Sequence, residues 1–127
     1  GNGKELFVVI DEAHMLNHSK GSAMYCMYNM GAGNGLHLIT SYQSLNQIKP
    51  SEREIIQGDI VICFKAISVD DGTVMAKRYQ QKPYTQFGGK LVELQKRECY
   101  LIGELENSSG DIVEAPAVKV TIPDVNL

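Results

Sequence analysis

Two adjacent carboxylates, Asp11 and Glu12, have the residue types and the spacing to do chemistry. They follow an apolar run that ends at Ile10. Because a pair of acids is costly to bury, both side chains should lie where a strand leaves a sheet. One carboxylate there can hold Mg²⁺ beside a phosphate while the other activates an attacking water. In the alternative interpretation, Asp11 is only the N-cap of an ordinary strand-to-helix turn.

Polar side chains also follow a second predicted strand, at residues 36–40. They are Thr40, Ser41 and Gln43. The apolar run at 5–10 is typical of a strand buried on both faces of a parallel sheet, and such strands end together at a ligand-binding edge. The Gln43 amide can donate and accept, so it could hold the attacking water or contact a phosphate. The alternative for Gln43 is an N-cap or a solvated loop residue.

The order of the elements predicts an α/β fold. A third buried strand is predicted at 59–65, and helices are predicted to begin at the capping residues Ser19 and Ser68. This β-α-β-α-β-α order predicts a parallel sheet with right-handed crossovers and with helices on both faces. The segments 98–104 and 117–122 predict an antiparallel hairpin that closes the domain.

The glycine-rich segment 31–35 is not a phosphate-binding loop. It lies after a helix and before a strand, the reverse of the order such a loop requires, and it lacks the Gly-Lys-Ser/Thr ending. Helix termination accounts better for its glycines. No Gly-x-x-x-x-Gly-Lys-Ser/Thr motif occurs anywhere in the 127 residues.

The bulk composition narrows the function classes. The formal net charge of −3 is spread along the chain, which leaves no overall electrostatic footprint for nucleic acid. The odd cysteine number and the wide spacing argue against disulfides, and Cys26 and Cys63 are predicted to be buried thiols in a reducing compartment. Three scattered histidines make a zinc site improbable. No apolar run is long enough to cross a membrane.

Three segments of the sequence together are similar to one known superfamily. The first segment covers the end of the first strand and the two acids. The second covers the second strand and the turn that contains Gln43, and the third covers the two closing strands. They read Ile10-Asp11-Glu12-Ala13-His14-Met15-Leu16, Asn34 to Ile48, and Leu91 to Val120 with gaps. This pattern resembles the FtsK/HerA superfamily of P-loop ATPases, which includes hexameric DNA pumps and the TraG/TraD-type ATPases of conjugation.

The resemblance implies a role for each site residue. Asp11 would hold Mg²⁺ through water, Glu12 would be the catalytic base of the Walker B strand, and Gln43 would be the γ-phosphate sensor. Thr40 and Ser41 would contact the nucleotide. The implied cofactors are ATP and Mg²⁺. The implied partners are DNA, further copies of the chain in a hexamer, and secretion or conjugation machinery. The expected location is cytoplasmic, with any membrane association in regions outside this chain.

Two departures from the family pattern qualify this interpretation. The missing phosphate-binding loop predicts that residues 1–127 are the C-terminal portion of a RecA-like ATPase domain and are inactive alone; residues 1–3 can derive from an expression vector. The arginine that relatives carry before the sensor strand is also missing. Arg53 and Arg78 are possible substitutes, although a solvated helix face is the alternative for each.

Two other functions stay open at this stage. Asp11-Glu12-Ala13-His14 also spells the DEAH box of superfamily 2 helicases, but that family expects Ser-Ala-Thr where Thr40-Ser41-Tyr42 stands. A non-enzymatic α/β interaction domain, with a structural acid pair, is the third hypothesis. A stable monomer without a Mg²⁺ or nucleotide response would favour it, whereas a motor fragment should expose apolar surface and self-associate.

Overall fold

A computed structural model describes residues 4–58, 60–106, 108–114 and 117–124. The chain divides into two compact units, residues 1–57 and 58–127. The first unit contains strand β1 (Leu6–Ile10), helix α1 (Ala23–Met30) and strand β2 (Leu36–Thr40). Short 3₁₀ turns at Ala13–Met15, Ala32–Asn34, Leu45–Gln47 and Pro50–Ile55 complete it. Residues 1–3 and position 59 of the third predicted strand lie outside the described residues.

The first unit confirms the predicted parallel pairing of β1 and β2. Their register places Leu6 beside Leu36 and Ile10 beside Thr40. Helix α1 begins later than predicted, because Gly21 adopts a left-handed conformation with φ of 86°. Ser22 rather than Ser19 is therefore the N-cap, and its side chain accepts a hydrogen bond from the Tyr25 amide at 3.2 Å. The helix ends at Met30, as the following glycines predicted.

The prediction that β1 is buried on both faces is wrong. Val8 and Ile10 are half-buried, whereas Phe7 and Val9 on the opposite face are 63% and 70% exposed. Ile39 of β2 is also exposed. The reason is that the first unit packs its helical residues against one face of the two strands. An apolar face is left without cover from its own unit.

The second unit contains an antiparallel sheet and a pair of helices. Its elements are β3 (Ile60–Cys63), α2 (Val69–Arg78), α3 (Tyr84–Val92), β4 (Glu98–Glu106), β5 (Ile112–Glu114) and β6 (Val118–Thr121). Strand β4 pairs antiparallel with β3, β5 and β6. The mixed α/β class and the antiparallel closing strands are confirmed.

The third strand does not continue the parallel order that the sequence predicted. It pairs antiparallel with β4, with Cys63 beside Tyr100. Two helices rather than one connect β3 to β4. The second helix brings the chain back to the end of the sheet at which β3 ends. Strand β4 must then run back along β3. Strand β3 is not buried throughout: Ile60 and Ile62 are exposed, Val61 is half-buried and Cys63 is buried.

The cysteines are all free, but their burial differs from the prediction. Cys26 is exposed on α1, which corrects the expectation that it is buried. Cys63 is buried in the core of the second unit beside Ala76, Phe87 and Leu91. Burial, together with the neighbouring Cys99, raises the pKa of the Cys63 thiol to about 12. Within the described residues, no helix has both the length and the apolar character needed to span a membrane.

Helices α2 and α3 cross at a contact between two glycines. A Cβ atom at Gly72 would lie 2.6 Å from the carbonyl oxygen of Gly88, and one at Gly88 would lie 2.7 Å from the Thr73 amide nitrogen. Both obstructing atoms belong to the backbone, so they cannot rotate away. The crossing therefore requires glycine at both positions.

We predict that Gly72→Ala and Gly88→Ala each lower the free energy of unfolding by about 1–3 kcal/mol, because the helices must move apart. The matched control is Gly89→Ala in the same helix, where a Cβ meets no described atom within 4 Å. That substitution should be neutral or stabilise by about 0.5–1 kcal/mol. Urea denaturation of the three variants checks the order, and equal effects at positions 88 and 89 would contradict it.

Candidate functional site

The candidate site lies where β1 and β2 end. Beyond the last paired residues, the Ser41 amide donates to the Ile10 carbonyl oxygen at 3.0 Å. The Ala13 amide then donates to the Ser41 carbonyl oxygen at 2.9 Å. These two bonds extend the parallel pairing past the strands. They hold the acidic turn of one chain segment against the polar turn of the other.

The carboxylate of Asp11 is fixed within this edge. Its Oδ1 accepts hydrogen bonds from the Ser41 hydroxyl and from the Glu12 amide, the latter at 2.9 Å. The Glu12 amide also lies 3.2 Å from Ser41 Oγ. Asp11 therefore has a defined orientation, although its side chain is exposed. The second carboxylate oxygen, Oδ2, points to no protein donor among the described residues.

Glu12 adopts a backbone conformation that is uncommon for a residue with a side chain. Its φ and ψ are 51° and 46°, in the left-handed region. This conformation costs about 1–2 kcal/mol for residues other than glycine. It turns the carboxylate toward the second strand end, where the Gln43 side-chain amide donates to Glu12 Oε1 at 3.3 Å. Strain of this kind is concentrated at functional sites.

The structure thus brings together four of the five predicted site residues. Asp11, Glu12, Ser41 and Gln43 are joined by hydrogen bonds at one sheet edge. Thr40 lies on the other face of β2, where its Oγ1 is 2.9 Å from the Tyr28 hydroxyl. A nucleotide contact by Thr40 stays a prediction from the resemblance.

A polar network of three half-buried hydroxyl residues and the buried His18 supports the end of β2. The Tyr28 hydroxyl lies 2.8 Å from that of Tyr42, which lies 2.8 Å from Nε2 of the buried His18. His18 Nδ1 lies 2.8 Å from the Leu16 carbonyl oxygen. Because a carbonyl oxygen can only accept, Nδ1 carries the proton, and in a neutral ring Nε2 accepts from Tyr42. Tyr28 must then donate to Tyr42, and Thr40 to Tyr28.

Sequence reasoning missed this network. No sequence signal marked Tyr28, His18 or Tyr42, because Tyr42 is 24 residues from His18 and 14 residues from Tyr28. The one sequence pattern that indicates the network is the pair of polar residues at alternate positions, Thr40 and Tyr42, at the end of a strand. His14 has a buried Nδ1 without a hydrogen-bond partner among the described residues.

The donor set of the acidic edge fits Mg²⁺. Among the described residues, neither carboxylate forms an ion pair, and no cluster of three or more His, Cys, Asp or Glu side chains could cage a metal. Mg²⁺ is commonly held by one or two carboxylates with several waters and substrate phosphates. Asp11, oriented by the Ser41 hydroxyl, would supply the carboxylate for such a site. Arg53 is occupied elsewhere, donating to the carbonyl oxygens of Leu45 and Ile48.

Comparison with solved structures identifies a similar fold. The chain resembles the genome packaging NTPase B204 from Sulfolobus turreted icosahedral virus 2, solved in complex with AMPPCP. The TM-score is 0.54 and the sequence identity is 18%, so the likeness concerns the fold alone. The match covers 87% of this chain and 51% of that protein, so this chain spans about half its length. No protein-family model and no curated protein sequence matches the chain.

We predict that Glu12→Gly is more stable than Glu12→Ala by about 1 kcal/mol, because only alanine keeps the Cβ that the left-handed conformation disfavours. Both variants lose the same carboxylate, so the comparison isolates the backbone strain. The exposed helical residue Asn29 is the control, where glycine should be less stable than alanine. Chemical denaturation measures both pairs, and alanine as the more stable residue at position 12 would contradict the strain.

We predict that Tyr42→Phe lowers the free energy of unfolding by about 1–3 kcal/mol, because it leaves the buried His18 Nε2 without its donor. Tyr25→Phe is the matched control, since the Tyr25 side chain is half-buried in the same unit and takes no part in this network. Thermal or urea unfolding distinguishes the two. Equal stability of the two variants would show that the network contributes nothing.

Proposed function

We propose that this chain supplies the metal-binding, water-activating and sensing residues of an ATP-hydrolysing motor that moves DNA. The observation that carries the proposal is the Gln43–Glu12 hydrogen bond at the acidic edge. It links a candidate base to an amide that can donate and accept, at the adjoining ends of two parallel strands. The Asp11–Ser41 contact beside it orients the carboxylate that would hold Mg²⁺ through water.

We assign each of these residues a role in ATP hydrolysis. Glu12 accepts a proton from the attacking water, and Gln43 orients that water through its amide while it holds the carboxylate of Glu12. Asp11 would hold Mg²⁺ through a water molecule, and the Ser41 hydroxyl keeps Asp11 in place. Mg²⁺, when bound, neutralises charge that develops on the phosphate oxygens. Phosphoryl transfer depends mainly on such positioning and electrostatic stabilisation.

The similar fold supports the choice of substrate and partner. The viral protein is a genome packaging NTPase and was solved with an ATP analogue, which favours ATP as the nucleotide and nucleic acid as the partner here. Hexamer formation, a conjugation or secretion role and a cytoplasmic location are implied by the FtsK/HerA resemblance and are part of the proposal. The exposed apolar face at Phe7, Val9 and Ile39 would be covered by the remaining part of the NTPase domain.

We predict that Glu12→Gln in the full-length motor lowers kcat for ATP hydrolysis by about 10²–10⁴-fold, because the amide cannot accept the proton. Nucleotide affinity should change little, since the side chain keeps its size and its contact with Gln43. Gln43→Ala should lower kcat by about 10²-fold through misplacement of the water. Steady-state phosphate release and equilibrium binding of a fluorescent ATP analogue measure the two effects separately.

Two matched substitutions control for nonspecific damage. Glu5→Gln removes an exposed carboxylate that faces His37 in the same unit, and Gln47→Ala removes an exposed amide from the 3₁₀ turn that follows the site. Neither should alter turnover. Unchanged turnover in Glu12→Gln would refute the assignment of Glu12 as the base. The 127 residues alone, which lack a phosphate-binding loop, should show no hydrolysis.

A further inference from the structure

A basic turn begins the central strand of the second unit. The Glu98 amide donates to the Gln95 carbonyl oxygen at 3.1 Å, which closes a turn with Lys96 and Arg97 at its tip. Arg97 has a φ of 68°, a conformation that turns normally assign to glycine or asparagine. Its carbonyl oxygen accepts from the Ile122 amide at 2.7 Å, which holds the turn against the chain that follows β6.

The end of β3 brings further residues to this turn. Since Cys63 pairs with Tyr100 in antiparallel register, the chain beyond β3 passes the start of β4. Phe64 and Lys65 therefore line the same cleft as Lys96 and Arg97, with the buried Leu94 beneath. The cleft has a volume of about 370 Å³ and lies entirely within the second unit.

The cleft carries the opposite charge from the chain as a whole. Lys65, Lys96 and Arg97 are exposed cations in a protein of net charge −3. Among the described lining residues the one acid is Glu98, and its carboxylate accepts from the Gln95 amide at 2.7 Å and pairs with Lys119 at 3.3 Å. These contacts, first that of Gln95 and then that of Lys119, lower the pKa of Glu98. The carboxylate is thus balanced by a fourth cation.

An exposed aromatic ring completes the cleft. Phe64 is 56% exposed, although a phenylalanine that follows an apolar strand is usually buried. A π-face beside several cations is the combination that single-stranded nucleic acids bind, with phosphates on the cations and a base stacked on the ring. A free anion such as inorganic phosphate has no aromatic group that could stack on the Phe64 ring.

We propose that this cleft binds single-stranded nucleic acid, with backbone phosphates on Lys65, Lys96 and Arg97 and one base stacked on Phe64. The choice of nucleic acid as the polyanion rests on the proposed function, because the cations alone would serve any phosphate chain. The strained Arg97 turn holds two of the cations at one edge of the cleft. A duplex, whose bases are already stacked, cannot use Phe64.

Fluorescence anisotropy of a labelled twelve-nucleotide single strand with the full chain tests the site. Lys96→Gln combined with Arg97→Gln should weaken binding at least about tenfold at low salt and reduce the slope of log K against log salt by about 1.4. Lys77→Gln combined with Lys90→Gln removes the same charge from exposed helix positions of the same unit outside the cleft. That control should leave the affinity within about twofold.

Phe64→Ala distinguishes a nucleic acid from other phosphate chains. It should weaken binding of the oligonucleotide about tenfold, leave the salt slope unchanged and leave binding of inorganic polyphosphate unchanged. Equal losses in the cleft and control lysine variants, no effect of Phe64→Ala, equal affinity for a duplex, or no binding by the unaltered chain would each overturn the proposal. The binding assay contains no ATP, so its result is independent of the Glu12→Gln measurement. The cleft proposal can therefore be refuted while the proposed function stands, and the proposed function can be refuted while the cleft proposal stands.

Discussion

The parallel register of β1 and β2 is the constraint on which the candidate site depends. Because Ile10 lies beside Thr40, the residues that follow each strand emerge at the same sheet edge. Asp11 then reaches Ser41, and Glu12 reaches Gln43, although 30 and 31 residues separate these partners in sequence. A slip of one residue would send every side chain of one strand to the opposite face and would separate both pairs.

The end of β2 serves two faces with different chemistry. Ser41 and Gln43 meet the acids at the open edge, whereas Thr40 and Tyr42 join the partly buried network that reaches His18. These half-buried hydroxyls hydrogen-bond to one another and hold the strand end without using any group of the acidic edge. Glu12 adopts a left-handed backbone conformation that directs its carboxylate toward Gln43. The backbone hydrogen bonds of Ser41 hold the chain in this conformation.

Local patterns in the sequence were enough to predict five of the strands, but not β5, together with the antiparallel closure and the meeting of the acids with Ser41 and Gln43. The direction in which one strand pairs with a strand distant in sequence was not predictable. The direction of β3 depends on the α2–α3 pair, whose close crossing is possible only because Gly72 meets Gly88. Exposure was also mispredicted at Val9 and Cys26, because apolar neighbours in sequence do not reveal whether a covering layer is present.

The proposed function makes the acidic edge one half of an ATP hydrolysis site. A structure of the full-length protein with Mg²⁺ and a non-hydrolysable ATP analogue tests this proposal. We expect the terminal phosphate to lie beside this edge, with a water within hydrogen-bonding distance of both Glu12 and Gln43 and a metal-bound water on Asp11. A nucleotide bound elsewhere, with Glu12 and Gln43 facing neither phosphate nor water, would contradict it.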